Sequence, residues 1–88
     1  MKLNGKFMIR QVVDEVLAIP VGETALRFNG MIVLNAVSRV IWQCLEEETE
    51  IAAIVAAVTE QFEVAPDRAE ADIQEFLNKL RQKDLLSE

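Results

Sequence analysis

The spacing of apolar residues changes from a strand period to a helix period at Asn35, which divides the chain into two parts. Before Asn35, short β-branched and apolar runs are separated by turn residues, as in a small antiparallel sheet. After it, apolar residues recur every three or four positions, which is the period of amphipathic helices. With 88 residues the chain is long enough for one domain and too short for two. We therefore predict a single α+β domain over residues 1–88.

A β-hairpin is predicted in the first part. Residues 7–13 and 16–21 are rich in β-branched and apolar side chains, and Asp14 and Glu15 separate them. Pro20 has no N–H to donate to a ladder, so we expect it at a strand end or a sheet edge. The two runs are therefore interpreted as neighbouring antiparallel strands with an acidic turn.

A third strand and three helices are predicted to follow. Asn29 and Gly30 tolerate positive φ and indicate a turn before a short strand at Met31–Leu34. Asn35 is a favourable helix N-cap. The apolar stripes predict helices over residues 36–46, 50–62 and 66–83. The predicted order is thus a three-stranded antiparallel sheet followed by three helices, with the last leucines folded back on the core.

The residues available for chemistry favour binding over catalysis. The chain has no histidine and one cysteine, Cys44, at an apolar position of a helical pattern. The lack of histidine removes the commonest general base and metal ligand, and one cysteine cannot form an internal disulfide. Asp72 and Glu75 share a helix face, but a catalytic carboxylate pair needs a deep cleft. We expect a protein that is not an enzyme, with no metal and no cofactor of its own.

The net charge of −6 opposes binding to polyanions. Nine basic residues stand against fifteen acidic ones, without any basic run. Binding to nucleic acid or to an anionic membrane surface depends on Lys and Arg. No signal peptide is evident at the start, and no apolar run approaches the roughly 20 residues that span a bilayer. We expect a cytoplasmic protein that binds neither nucleic acid nor membrane.

Four segments, taken in order, resemble a known family. They are Ile19–Glu23 (IPVGE), Asn29–Asn35 (NGMIVLN), Ile41–Leu45 (IWQCL) and the apolar and acidic positions of Asp72–Leu86. Together they resemble the PqqD-like family, small proteins named for pyrroloquinoline quinone synthesis and related to the peptide-recognition elements of ribosomal natural-product pathways. Two departures concern loops: family members often have Gly where this chain has Glu46–Glu48, and again where it has Asp84.

The resemblance implies a winged helix-turn-helix-like domain that binds the leader region of a precursor peptide. The leader would add as a strand to the third strand and lie against the third helix, and the domain would present it to a modifying enzyme. The resemblance indicates a radical S-adenosylmethionine enzyme, which would carry any iron–sulfur cluster. Alternation along the third strand leads us to expect Ile32 and Leu34 in the core and Met31 and Val33 nearer the groove. The candidate peptide-binding residues are Met31, Ile32, Val33, Leu34, Asp72, Phe76 and Lys79.

Two other functions remain open from the sequence. A DNA-binding winged-helix regulator would share this order of elements, but its recognition helix needs outward Lys or Arg, and residues 50–62 contain neither. An oligomerisation or scaffold module could use an exposed edge strand, so a homodimer is also open. Trp42 lies off the main apolar stripe of its helix, where it either covers the core edge or marks a second surface for the modifying enzyme.

Overall fold

The chain folds into five strands and four helices. The computed structural model describes residues 1–88. The elements are β1 Lys2–Leu3, β2 Phe7–Val12, β3 Glu15–Pro20, α1 Glu23–Arg27, β4 Ile32–Leu34, α2 Ala36–Leu45, α3 Ile51–Gln61, α4 Pro66–Gln82 and β5 Leu86–Ser87. Strands β2, β3 and β4 form an antiparallel sheet in that order, and β1 pairs with β5. The predicted α+β fold, with a three-stranded sheet and three following helices, is confirmed.

The hairpin turn lies one residue earlier than the acidic pair suggests. Val12 is opposite Glu15, so the two-residue loop is Val13–Asp14, and Glu15 belongs to β3. Val13 has φ 56°, an unusual value for a β-branched residue, and 85% of its surface is exposed. The prediction that Asp14 and Glu15 form the turn was therefore wrong by one residue. The sequence did not indicate this, because a β-branched residue such as Val13 is unusual in a turn. Pro20 ends β3, as expected.

The short helix α1 was not predicted, and it fastens the terminal segments to the sheet. The Thr24 hydroxyl accepts a hydrogen bond from the N–H of Lys6 at 2.8 Å. The Arg27 guanidinium donates to the carbonyl oxygens of Asn4 and Asp84 at 2.6 and 3.3 Å. Its five residues have too short an apolar pattern to predict a helix from periodicity.

The core lies between the sheet and helices α2–α4. Trp42 is only 1% exposed, and its ring meets Phe7 edge-on at 5.0 Å between centroids. The hypothesis that Trp42 marks a second surface is therefore wrong. Cys44 packs against the same core, as predicted, and burial raises the pKa of its thiol. The buried apolar residues are Ala18, Leu34, Val40, Ile41, Trp42, Leu45, Ile54, Val58, Ala69, Ile73, Leu77, Leu80, Leu85 and Leu86.

Helix α4 ends in a Schellman motif that turns the C-terminal segment back to the core. The N–H of Leu85 donates to the carbonyl of Leu80 at 2.9 Å, and the N–H of Asp84 donates to the carbonyl of Arg81 at 3.0 Å. This motif needs a left-handed residue after the C-cap, a position where glycine is preferred. Asp84 holds it with φ 57°. The buried leucines Leu80 and Leu85 supply the apolar contact that accompanies the motif.

Replacing Asp84 by glycine should stabilise the domain. Asp84→Gly keeps both backbone hydrogen bonds and removes the cost of a Cβ in the left-handed region, so we expect the free energy of unfolding to rise by about 1 kcal/mol. Urea denaturation followed by circular dichroism measures the change. Asp84→Ala is the control, since alanine keeps the Cβ, and it should not stabilise. Equal effects of the two substitutions would contradict this explanation.

Candidate functional site

The pairing of β2 with β3 determines which backbone groups of β3 point toward β4. The N–H of Val21 donates to the carbonyl of Lys6 at 3.0 Å, and the adjacent Pro20, which has no N–H, is opposite Phe7. In an antiparallel ladder, both polar groups of a residue point to the same side, and this side alternates along the strand. Counting back from Pro20, every second residue of β3 therefore points its backbone groups toward β4.

This alternation leaves the middle of β4 with an unpaired backbone. Ala18 and Val16 are opposite Ile32 and Leu34, and these are the pairs that exchange hydrogen bonds. Val33 lies between them, so its N–H and C=O point away from β3. The sheet order places nothing on that side of β4. Val33 is thus the centre of an open edge that an extended chain can pair with.

The free edge extends backward to Met31 and stops at Asn35. Met31 precedes Val33 by two residues, so the same alternation directs its N–H and C=O outward. The N–H of Asn35 is already bound to the Ser38 hydroxyl at 2.8 Å, while Asn35 Oδ1 accepts from the N–H of Ser38 at 2.8 Å. This capping box begins α2 immediately after the strand. The edge therefore presents two donors and two acceptors, on Met31 and Val33.

Side chains of this segment alternate between the two faces of the sheet. Leu34 is buried and Ile32 is half-buried against the core, which agrees with the predicted alternation. Met31 and Val33 are each 57% exposed on the opposite face, away from the helices, so the expectation that these two side chains lie nearer the groove is wrong. What these two residues present to a paired strand is therefore chiefly their backbone.

A cavity of about 290 Å³ lies between the start of α2 and the middle of α4. It begins at Asn35, directly after β4, so it adjoins the end of the open edge. Phe76 is half-buried, packing against the core while also lining the cavity. Its full lining is Asn35, Val37, Ser38, Ile41, Asp72, Glu75, Phe76 and Lys79.

Charged side chains form the rim of this cavity. Asp72 lies 3.6 Å from the guanidinium of Arg68, and Lys79 lies 4.0 Å from the carboxylate of Glu75. Within each pair the two residues are one helical turn apart on α4, and their side chains are largely exposed. Each ion pair therefore contributes little to the stability of the fold. These side chains remain free to exchange their partners for groups on a ligand.

A second, larger cavity of about 470 Å³ lies on the other side of β4. It lies among the hairpin region, the junction of β4 with α2, and the end of α3. Its lining residues are Asp14, Val16, Leu34, Asn35, Ala36, Arg39, Val40, Gln43, Gln61 and Phe62. Because Val16 belongs to the strand that already pairs with β4, this cavity is not beside the free edge. An added strand at β4 would lie next to the α4 cavity instead.

The structure brings the two halves of the predicted site to one region of the surface. Asp72, Phe76 and Lys79 line a single cavity, and Met31 and Val33 carry the open edge beside it. The prediction that Ile32 and Leu34 also belong to this edge was wrong, because their backbone groups pair with β3. Sequence reasoning missed the contribution of α2, whose Val37 and Ile41 are spaced one turn apart. That spacing was visible, but the stripe was assigned wholly to the core.

A family model now identifies the chain. The model described as "Coenzyme PQQ synthesis protein D (PqqD)" matches residues 16–86, which is most of the sequence. The chain belongs to the PqqD family. No curated protein matches it. The matched residues include the open strand β4, the capping box and all of α4.

A solved structure of similar fold is described as "TbiB1 in Complex with the TbiA(beta) Leader Peptide". The TM-score is 0.74 and the sequence identity 29%, over 99% of this chain and 95% of that one. This PqqD-family chain therefore shares its whole fold with a protein that binds a leader peptide. None of its helices combines the length and apolar character needed to cross a membrane.

Asp84 is a position at which this chain departs from the PqqD family. Family members often have glycine at this point, and the left-handed φ of Asp84 explains that preference. The loop geometry is retained here because aspartate tolerates this region better than most residues. The departure therefore leaves the fold unchanged, and we expect it to lower only the stability of the domain.

Proposed function

We propose that this chain binds the leader region of a ribosomally made precursor peptide by adding it as a strand to β4. The observation that carries the proposal is the unpaired backbone of Met31 and Val33 beside the α4 cavity. An extended peptide would satisfy these groups, while its alternate side chains would enter the cavity. The similar structure of TbiB1 with a leader peptide supports this function.

The expected affinity follows from the hydrogen bonds and apolar contacts that a bound leader could make. Two residues with two backbone groups each give about four hydrogen bonds, worth about 1 kcal/mol net each. Two apolar side chains anchored in the cavity would add about 2 kcal/mol each. Ordering the peptide and losing its translational freedom reduce this gross sum of about 8 kcal/mol. We expect a dissociation constant in the micromolar range or somewhat tighter.

Titration of a candidate leader into isotope-labelled protein tests the binding mode. The peptide is best taken from a short reading frame encoded beside a modifying enzyme. Amide shifts should cluster at residues 31–34 and along Arg68–Lys79. Saturable binding with all shifts elsewhere would contradict strand addition at β4, and the absence of binding would contradict the proposed function for that peptide.

Truncating Phe76 should weaken leader binding. Phe76→Ala removes the largest apolar surface of the cavity lining, so we expect a rise in the dissociation constant of about 10- to 30-fold. Calorimetric titration measures it, with a thermal melt to confirm folding. The matched control is Gln74→Ala, which truncates a half-buried side chain of α4 outside the cavity and should change affinity less than about twofold.

The bound leader would be presented to a separate modifying enzyme, for which a radical S-adenosylmethionine enzyme is our proposal. In this arrangement the chain acts as a recognition partner and catalyses no step. The absence of histidine supports this role, because the commonest general base is missing. Modification of a leader-bearing precursor by the neighbouring enzyme should be faster with this protein present than without it. Equal rates would contradict presentation while leaving leader binding intact.

A further inference from the structure

The sheet has a second open edge, at β2. The strand order β2-β3-β4 leaves β2 paired on one side only. Its six residues make it twice as long as β4, and five of them are exposed. Met8 and Ile9 are 46% and 36% exposed. Native edges are usually protected by proline, bulges or several charges, whereas β2 pairs without a bulge and carries Arg10 as its only charge.

The outward backbone groups of β2 belong to three residues. Lys6 accepts from Val21 of the neighbouring segment, so its backbone points toward β3. By alternation, Phe7, Ile9 and Gln11 direct their N–H and C=O groups away from β3. The edge thus presents three donors and three acceptors, more than β4 does.

Two-fold pairing of β2 with a second copy has few allowed registers. A two-fold axis normal to the sheet makes the two β2 strands antiparallel and keeps each side chain on its own face of the sheet. Residues opposite each other must therefore both have odd numbers or both have even numbers, so that each pair of numbers has an even sum. The register centred on Ile9 pairs Ile9 with Ile9, Phe7 with Gln11 and Met8 with Arg10. All three outward residues then face outward residues of the other copy, which gives six hydrogen bonds.

Charge distinguishes this register from its neighbours. Moving the centre by one residue toward the hairpin places Arg10 directly opposite Arg10 of the other copy. Moving it one residue the other way places Lys6 opposite Arg10 on both sides. Like charges directly opposite each other are destabilising. The register centred on Ile9 avoids both contacts and covers the exposed Ile9 side chain with its own counterpart.

We propose that two copies of this chain associate through their β2 strands, with Ile9 opposite Ile9, to form a continuous six-stranded sheet. The contact is small, so the dimer forms in a concentration-dependent equilibrium. Both β4 strands lie at the outer ends of the joined sheet and stay open. Dimerisation and strand addition at β4 are therefore compatible within one assembly.

Sedimentation over a roughly hundredfold range of protein concentration tests the association. Ile9→Pro removes an outward N–H of β2 and should weaken dimerisation more than about tenfold, whereas Val33→Pro, its counterpart on the β4 edge, should leave it unchanged. A monomer at every concentration would overturn the proposal. So would a dimer lost with Val33→Pro and kept with Ile9→Pro, because it would use β4.

Cysteine crosslinking tests the register independently of the proline variants. In a Cys44→Ala background, Ile9→Cys places two thiols opposite each other, with Cα atoms about 5.5 Å apart. Gln11→Cys is the matched control, since its two copies would be about 14 Å apart along the strands. A short bifunctional thiol reagent, which bridges the Cβ separation of about 5.5 Å in a hydrogen-bonded pair, should give a covalent dimer with Ile9→Cys alone. Crosslinking through Gln11→Cys, or through neither, would overturn the proposed register.

Discussion

Val33→Pro should weaken leader binding strongly while the domain stays folded. The N–H of Val33 faces the open side of β4, so proline removes a donor that the fold itself does not use. Its ring would also occupy the space that a carbonyl oxygen of the added strand needs. We expect the dissociation constant to rise by about 100-fold, combining the lost hydrogen bond with the disrupted neighbouring pair.

The fold should tolerate this proline because β4 is an edge strand. Proline is found in sheets where its nitrogen faces away from the ladder. Ile32 precedes it in an extended conformation, which is the conformation that proline favours in its neighbour. Circular dichroism and a thermal melt should show a folded protein with a loss of about 1 kcal/mol at most.

Two controls separate the backbone of Val33 from its side chain and from the sheet as a whole. Val33→Ala keeps the N–H and shortens an exposed side chain, so it should weaken binding less than about threefold. Ile9→Pro removes an outward N–H from the opposite edge and should leave leader affinity unchanged. If Val33→Pro bound the leader as tightly as the wild type, strand addition at β4 would be wrong.

The sequence was most informative where one pattern extended over many residues. Helices α2, α3 and α4 begin and end within one residue of the positions that apolar spacing predicts. Asn35 was correctly predicted as an N-cap because its short amide chain is suited to that position. The alternation of β4 also predicted which side chains are buried, since one face of the sheet packs on the core.

Features that depend on distant contacts were not predictable. Strands β1 and β5 are two residues each and form only because the chain ends meet. Helix α1 is held by hydrogen bonds of Thr24 and Arg27 to segments far away in sequence. For the candidate site, the sequence predicted residues on β4 and α4, but the part contributed by α2 appears only when the helices pack together.

Trp42 shows how a helical pattern can mislead about a single residue. It lies beside the main apolar stripe of α2, which suggested that it either covers the core edge or marks a second surface. In the fold, Phe7 of β2 and the segment around β1 cover that side of the helix and bury Trp42. The periodicity of α2 alone does not predict this burial. The covering residues come from the other end of the chain.

Trp42→Ala should therefore cause the largest loss of stability of any substitution considered for this domain. Truncating a buried tryptophan costs about 3–5 kcal/mol through lost burial and the cavity left behind. A domain of this size has about 5–10 kcal/mol in total, so the variant should be close to unfolding. We expect its melting temperature to fall by more than about 15 °C. Because Trp42 is the only tryptophan, unfolding must be followed by far-ultraviolet circular dichroism instead of intrinsic fluorescence.

The control for Trp42→Ala is Leu26→Ala, which truncates an apolar side chain of α1 that is 88% exposed. It should change the free energy of unfolding by less than about 0.5 kcal/mol, since little surface is buried there. The comparison also tests the buried, structural role of Trp42 against the docking role that the structure contradicts. A docking residue would leave stability unchanged when removed and would weaken only binding of the modifying enzyme. A melting temperature of Trp42→Ala near that of Leu26→Ala would contradict the structural role, because a tryptophan enclosed by the core cannot be removed without a large cost.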